Sequence, residues 1–368
     1  MRHLWEFIRT VVSVSLLVAL TGTPALALVG AGDAPGLARA GDAPGVARAI
    51  EVQESHTPSL LNVQGVVGTA VGLRADGAPV IKIYTEDPGV GGLPNHLDGV
   101  PVVVEVTGKI FILPKPPGTP GGGGGNGGGG GGGGEEDPPS PECDPTAKCD
   151  RPVPIGVSTG HPSITAGTIG ARVIDGSGNV YALSNNHVYA NENLASIGDA
   201  VIQPGTYDGG TSPADDIGTL SAYKYLDFTG GDNTIDAAIA IITKPGDLGN
   251  STPSNGYGTP KSTTVVASFG LKVMKYGRTT GQTKGRVDAI NATVNVGYSS
   301  GTARFVGQII IKPGGFSAGG DSGSLIVVEK GADKRKPVGL LFAGSPILTV
   351  ANPIDAVLEE FGVTIDGE

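Results

Sequence analysis

The chain is short of several things, and each shortage narrows what it can be. Cysteine is nearly absent: Cys143 and Cys149 are the only two in 368 residues, too few for a fold stapled by several disulfides. No basic cluster stands against the net charge of −10, so the electrostatic footprint of a nucleic-acid binder is missing. Beyond the N-terminus, no apolar run approaches the roughly 20 residues that a bilayer-crossing helix needs. Uninterrupted helical sequence is also scarce. Gly (63) and Pro (28) together make 91 residues, about a quarter of the chain. Both break helices, which excludes a coiled coil or a long-helix protein. With 39% hydrophobic residues there is still enough apolar sequence for a core, and the length suits about two domains.

The order of these compositions along the chain divides it. Arg2 and Arg9 flank the start, an apolar run follows from Val11 to Leu20, and Ala25-Leu26-Ala27 makes a small-x-small cleavage site. This is the pattern of a secretory signal peptide over residues 1–27. Residues 28–49 read as a low-complexity leader, because Ala31–Arg39 and Ala40–Arg48 are two copies of one nine-residue repeat. Two copies do not make a solenoid. Residues 50–113 read as a small α+β unit, an accessory or pro-domain. Val80, Lys82 and Tyr84 alternate there with Ile81 and Ile83, Pro94–Leu97 is expected as a short helix, and Val102–Val106 and Ile110–Leu113 as strands. Residues 114–142 form a Gly/Pro-rich linker, with 21 Gly or Pro in 29 positions, which behaves as a flexible coil.

From residue 143 onward, short apolar runs recur between turn signals. They are Ala171–Ile174, Val180–Ser184, Ala237–Ile242, Gln308–Ile311, Ser324–Val328 and Val338–Phe342, and one amphipathic helix is expected over Pro353–Phe361. That spacing predicts an all-β barrel or sandwich. Export would favour a small local disulfide between Cys143 and Cys149. The two have no further Cys or nearby His to make a zinc site. Three residues in this region stand out together. His187 ends an apolar run, Asp236 opens one, and Ser322 lies in Gly319-Gly-Asp-Ser-Gly323. A serine hydroxyl needs a base to become a nucleophile, and a buried carboxylate fixes the tautomer of that base. Glycines around the serine let the backbone approach a reacting group and aim N–H donors at it.

With these residues in the order His, Asp, Ser, residues 151–368 resemble the chymotrypsin-like (trypsin-like) serine proteases. The order differs from the Ser, Asp, His of α/β-hydrolases. Lys275-Tyr-Gly-Arg-Thr-Thr-Gly281 is similar to a block of bacterial and plant members. The resemblance implies an all-β double antiparallel β-barrel over 143–368, two six-stranded barrels with the site between them, preceded here by the small α+β unit. It implies a secreted or extracytoplasmic endopeptidase acting on a polypeptide, with no metal or organic cofactor, no nucleic acid and no membrane after signal cleavage. Ser322 would attack, His187 would shuttle the proton, Asp236 would orient His187, and the N–H groups of Gly320 and Ser322 would form the oxyanion hole. Phe316 and Ser317 would lie at the base of the specificity pocket, and the strand carrying Phe342 and Gly344 would pair with substrate. No acidic residue stands among these four, which implies cleavage after a small or apolar residue rather than Lys or Arg. The sequence departs from the family at Asn185-Asn186, at the missing cysteine beside His187, and at the missing Arg-Ile or Lys-Ile before Ile155. The last leaves Asp321 without the freed N-terminus that pairs with it in many members. The alternative reading is a protease-fold binding module with weak or no turnover, which predicts an occluded or misaligned site.

Overall fold

The computed structural model describes residues 45–112 and 143–368. The expected signal peptide, most of the leader and the 114–142 linker lie outside the described residues. The N-terminal part begins with helix α1 (Val46–Leu61) and continues through strands β1 (Val66–Leu73), β2 (Pro79–Thr85), β3 (His96–Leu97), β4 (Val100–Val106) and β5 (Ile110–Ile112). Then follow β6 (Ser158–Thr159), β7 (Gly167–Thr168), β8 (Ala171–Asp175), β9 (Val180–Ser184), the single turn α2 (Asn186–Tyr189), β10 (Ala200–Ile202), β11 (Asp216–Tyr223), β12 (Asp232–Asn233) and β13 (Ala238–Ile242). The last part holds β14 (Lys272–Gly277), β15 (Gly281–Tyr298), β16 (Gly301–Lys312), β17 (Leu325–Val328), β18 (Pro337–Gly344), β19 (Thr349–Pro353), α3 (Ile354–Phe361) and β20 (Val363–Ile365). The molecule is mostly β, as expected.

Two six-stranded antiparallel units carry the fold. In the first, the strand order is β10-β11-β13-β9-β8-β20, so the last strand of the chain completes it. In the second, β14, β15, β16, β19, β18 and β17 pair in a closed ring. Closure removes the exposed edges that an open sheet leaves unpaired. Most Val, Ile, Leu and Ala of these strands are buried, along the whole of β9, β17 and β18. They form one core around Ile169, Leu183, Ile239 and Leu340 and others around Phe305 with Phe342 and around Ile311 with Leu341.

The N-terminal part departs from expectation in three ways. The helix is α1, and it begins inside the stretch read as leader. Val46, Ala49, Val52, Gln53 and Leu60 repeat at helical spacing and are buried, a pattern hidden by the nine-residue repeat that overlaps it. Residues 96–97 are strand, not helix. His96 and Leu97 pair with Pro101 and Val100 across Asp98-Gly99, and both turn residues have positive φ, 42° and 81°. An Asp-Gly pair in that conformation makes a tight hairpin. Third, the strands extend the second unit's sheet. β1 pairs with β15, and β2 and β4 follow. β2 is buried on both faces, with Ile81 and Ile83 under Val52 and Leu60 of α1 and Tyr84 against the cluster of Phe305.

Long β15 organises this joint. One edge pairs with β16 along most of its length. The other is taken in turn by β14 at 281–286, by β1 at 289–294 and by β5 at 296–297. Lys82 crosses the joint to Asp288 (2.6 Å) and also meets Glu105 (2.9 Å), and Lys312 reaches the same two carboxylates at 3.4 and 2.5 Å. Burial pulls the Lys82 ammonium pKa down, but the two carboxylates outweigh it and hold the pKa above its ordinary value.

Candidate active site

His187 and Asp236 come from neighbouring strands of the first unit. β9 ends at Ser184 and the chain turns at once into α2, which carries His187; Asp236 lies two residues before β13, the strand paired with β9. Asn185 ties the two loops together, its Nδ2 donating to the Asp236 carbonyl at 2.7 Å. Asn186 Nδ2 donates to the Lys224 carbonyl and to Asn193 Oδ1. The asparagine pair therefore anchors the turn before and around His187. The Asp236 backbone N–H donates to Asn352 Oδ1, whose amide continues to Gln308, whose amide reaches the Thr234 carbonyl.

The Asp236 side chain is fully buried, so each oxygen must find donors or carry a large desolvation cost. Oδ2 accepts from His187 Nδ1 at 2.6 Å and from the Tyr298 hydroxyl at 2.8 Å, and Oδ1 accepts from the His187 backbone N–H at 3.3 Å. This fixes the imidazole with Nε2 as its free nitrogen. Nε2 is buried and makes no hydrogen bond within the described residues. Tyr298 also presents its ring edge-on to the imidazole, with centroids 6.0 Å apart.

Ser322 lies between β16 and β17 and is 1% exposed. Its Oγ donates to the Phe342 carbonyl of β18 at 3.4 Å, and its carbonyl accepts the Thr168 N–H at 2.8 Å. Gly323 has φ +94, and a Cβ there would collide with Ser184 Oγ and the Thr168 carbonyl. Only glycine lets β7, β9 and the serine loop approach this closely. The structure thus brings His187 and Asp236 into contact and sets Ser322 against β18 without a Ser322–His187 hydrogen bond.

Asp321, next to Ser322, is held by a dense set of donors. Its carboxylate is fully buried and accepts from the N–H groups of Thr279, Thr280 and Ala318 and from the Thr280 hydroxyl. The Lys275 ammonium, equally buried, sits at 3.2 Å. A cation from the Lys275–Gly281 block is thus the counter-charge of Asp321. Burial pulls the Lys275 pKa down, and Asp321 partly offsets this. Arg278 of the same block pairs with Asp208 and lies over the Tyr207 ring. Its backbone N–H donates to Thr168 Oγ1, which itself donates to the Gly320 carbonyl.

With this geometry described, the chain can be set beside known proteins. The family described as Nal1 C-terminal domain matches residues 258–350, a stretch that includes Ser322 and Tyr298 but not His187 or Asp236. Among solved structures, Thermobifida fusca Protease A is 21% identical, with a TM-score of 0.43, covering 60% of this chain and 100% of that chain. A glutamic acid specific serine protease that uses a histidine triad in substrate binding is also 21% identical, with a TM-score of 0.44, covering 58% of this chain and 100% of its own. Nocardiopsis protease is 17% identical, with a TM-score of 0.41, covering 58% and 99%. No curated protein matches the chain in sequence.

The residues expected to contact substrate fall in two places. Phe316 is buried in the second unit's core with Val273, Val287, Ile311 and Leu341, and Ser317 Oγ meets Thr349 Oγ1 at 2.6 Å. Phe342 packs against Phe305 with centroids 4.6 Å apart. Gly344 lies on the β18 edge, where β17 no longer pairs, and that edge is filled by β5. Ile112 pairs with Ala343 and Phe111 with Gly344, antiparallel, while Ile110 and Phe111 pair in parallel with Val296 and Gly297 of β15. Ile112 also lines a cleft of about 260 Å³ shared with His187, Glu192 and Ser300. Cys143 and Cys149 form a disulfide with Cα atoms 5.5 Å apart. Sequence reading did not find Tyr298, Lys275 as the partner of Asp321, or β5 on β18. For Lys275 a signal existed, since a buried position for its block puts a lysine in need of a carboxylate.

Proposed function

We propose that the chain is a secreted serine endopeptidase held in a latent form by its own N-terminal strand. The observation that carries this reading is the buried His187–Asp236 pair, joined at 2.6 Å, whose Nε2 makes no hydrogen bond among the described residues, in a chain that also carries the glycine-framed Ser322. In the working enzyme Ser322 Oγ leaves the Phe342 carbonyl and gives its proton to His187 Nε2 as it attacks a peptide carbonyl. His187 then passes the proton to the leaving amine, and Asp236 stabilises the imidazolium. The N–H groups of Gly320 and Ser322 take the developing oxyanion. Residues 50–113 act as a pro-domain, because β5 pairs with the edge of β18 that a substrate strand would use. The apolar Phe111 and Ile112 on that edge, and the lack of a carboxylate among Phe316, Ser317, Phe342 and Gly344, support a small or apolar residue before the scissile bond.

A fluorophosphonate probe tests the reading on the full chain. Labelling is expected to be slow in the wild type and absent in Ser322→Ala. It should be roughly tenfold faster in Phe111→Pro, because proline is poorly tolerated inside a paired strand and a weakening of β5 pairing by about one net hydrogen bond is worth about that factor. The buried serine without a bond to His187 also favours a second reading, a protease-fold binding module. That reading is sustained if folded Phe111→Pro protein shows no Ser322-dependent labelling.

A further inference from the structure

The Asp236 carboxylate has three donors, and two belong to His187 itself: Nδ1 and the backbone N–H. The third is the Tyr298 hydroxyl, at 2.8 Å on Oδ2, the oxygen that also accepts Nδ1. Without it, the carboxylate and the imidazole would be anchored only to each other. The other contact from the second unit, Asn352 of β19, meets the Asp236 backbone N–H and not its carboxylate. Tyr298 is the last residue of β15 and pairs with Gly301 at the hairpin tip. It thus reaches from the second unit to the carboxylate of the first.

The ring is fixed from several sides. Phe228 packs edge-on at 5.4 Å between centroids, and Phe305 stacks at 6.1 Å. The hairpin tip is tied to the loop after His187 by Glu192, which accepts the Ser299 and Ser300 N–H groups at 3.2 and 2.7 Å. Burial, then the charge of Asp236 and its hydrogen bond, then Glu192, push the Tyr298 hydroxyl well above its ordinary pKa. Below strongly alkaline pH it therefore keeps its proton and donates it to Asp236 Oδ2.

We infer that Tyr298 is the positioning residue of the His187–Asp236 pair, supplying from the second unit the donor that sets the carboxylate plane and draws charge from Oδ2. This rests on the proposed roles of His187 and Asp236. Its effect is exerted through Asp236, since Tyr298 touches no reacting atom. The titratable groups facing its hydroxyl are Asp236, His187 and Glu192.

The experiment compares wild type, Tyr298→Phe and Phe228→Leu in the full chain. The first readout needs no turnover: the downfield proton resonance of His187 Nδ1 by NMR. It should move in Tyr298→Phe, which keeps the ring and loses the donor, and stay in place in Phe228→Leu, which loosens the ring and keeps the donor. The second readout is the pH profile of Ser322-dependent labelling or hydrolysis. Its acid limb should shift to higher pH in Tyr298→Phe by roughly half to one unit, the size expected for one hydrogen bond. The rate constant should fall roughly tenfold, with KM changed less than twofold. If Tyr298→Phe does not fold, a fluorinated tyrosine at 298, a stronger donor, should move resonance and acid limb the opposite way. A shifted resonance without turnover would refute the protease reading and leave this one standing. An unmoved resonance and acid limb in Tyr298→Phe would overturn the inference.

Discussion

Asp236 and Asp321 are both fully buried, one bonded to His187 and the other adjacent to Ser322 in sequence, yet the molecule holds them in different ways. Asp236 takes an imidazole, a backbone N–H and a phenol, with no permanent cation. Asp321 takes three backbone N–H groups, a hydroxyl and the Lys275 ammonium. The difference follows from what each is asked to do under the proposed mechanism. A carboxylate that must respond when its partner gains a proton is best left with neutral donors, because a fixed cation would already satisfy it. A carboxylate that only fixes a loop gains from a permanent counter-charge.

The largest expected effect is at the responsive site. Asp236→Asn keeps the shape but presents an amide that favours the wrong tautomer of His187. Ser322-dependent hydrolysis should fall by about 10⁴-fold, and a fall of less than about tenfold would remove Asp236 from this role. At the fixed site the effect should be on stability. Lys275→Met leaves a buried carboxylate without its cation and should cost about 3–5 kcal/mol in urea unfolding. Adding Asp321→Asn should return more than half of it. A neutral Lys275→Met would mean that the donors alone hold the loop.

A third ion pair sharpens the contrast from outside the site. Lys82 has two carboxylates and a second lysine, Lys312, that shares them, and its pKa is raised where that of Lys275 is lowered. A raised folded-state value means that the stabilisation is full below the ordinary 10.5 and is lost as pH rises through the higher folded value. Lys82→Met should cost only about 1–2 kcal/mol, less than a fully buried broken pair because Lys312 remains. The gap between wild type and variant should narrow in alkaline unfolding curves. A gap that widened above neutral pH would contradict the pairing.

Much of this was readable from the residues, but not evenly. The contact of His187 with Asp236 was legible because each sits at the edge of an apolar run and the chemistry that the sequence suggests, with Ser322 as the third member, needs those types together. Strands such as Val180–Ser184 and Leu325–Val328 were legible from runs bounded by turns. Helix α1 was not, because a nine-residue repeat overlapped its 3.6-residue period. The expected helix over Pro94–Leu97 gives way to a hairpin because Asp98-Gly99 makes a tight turn that pairs His96 and Leu97 with Pro101 and Val100. Tyr298 was invisible for a different reason. Its partner lies 62 residues away in sequence, and an aromatic residue at a strand end carries no sign of which carboxylate it meets. Phe111 and Ile112 were read as part of a strand, but nothing local tells a strand which edge it will join.

Strand β5 has a practical consequence for anyone seeking peptides that bind this molecule. It is joined to β4 by only the few residues between Val106 and Ile110, so it faces the β18 edge at an effective concentration of millimolar order or more. Any soluble peptide competing for Ala343 and Gly344 must outcompete a tethered rival that never diffuses away. If β5 itself held the edge with micromolar intrinsic affinity, a competing peptide would look about a thousandfold weaker on the intact chain. Screens on the full-length protein would therefore discard good ligands for that edge unless β5 were first displaced.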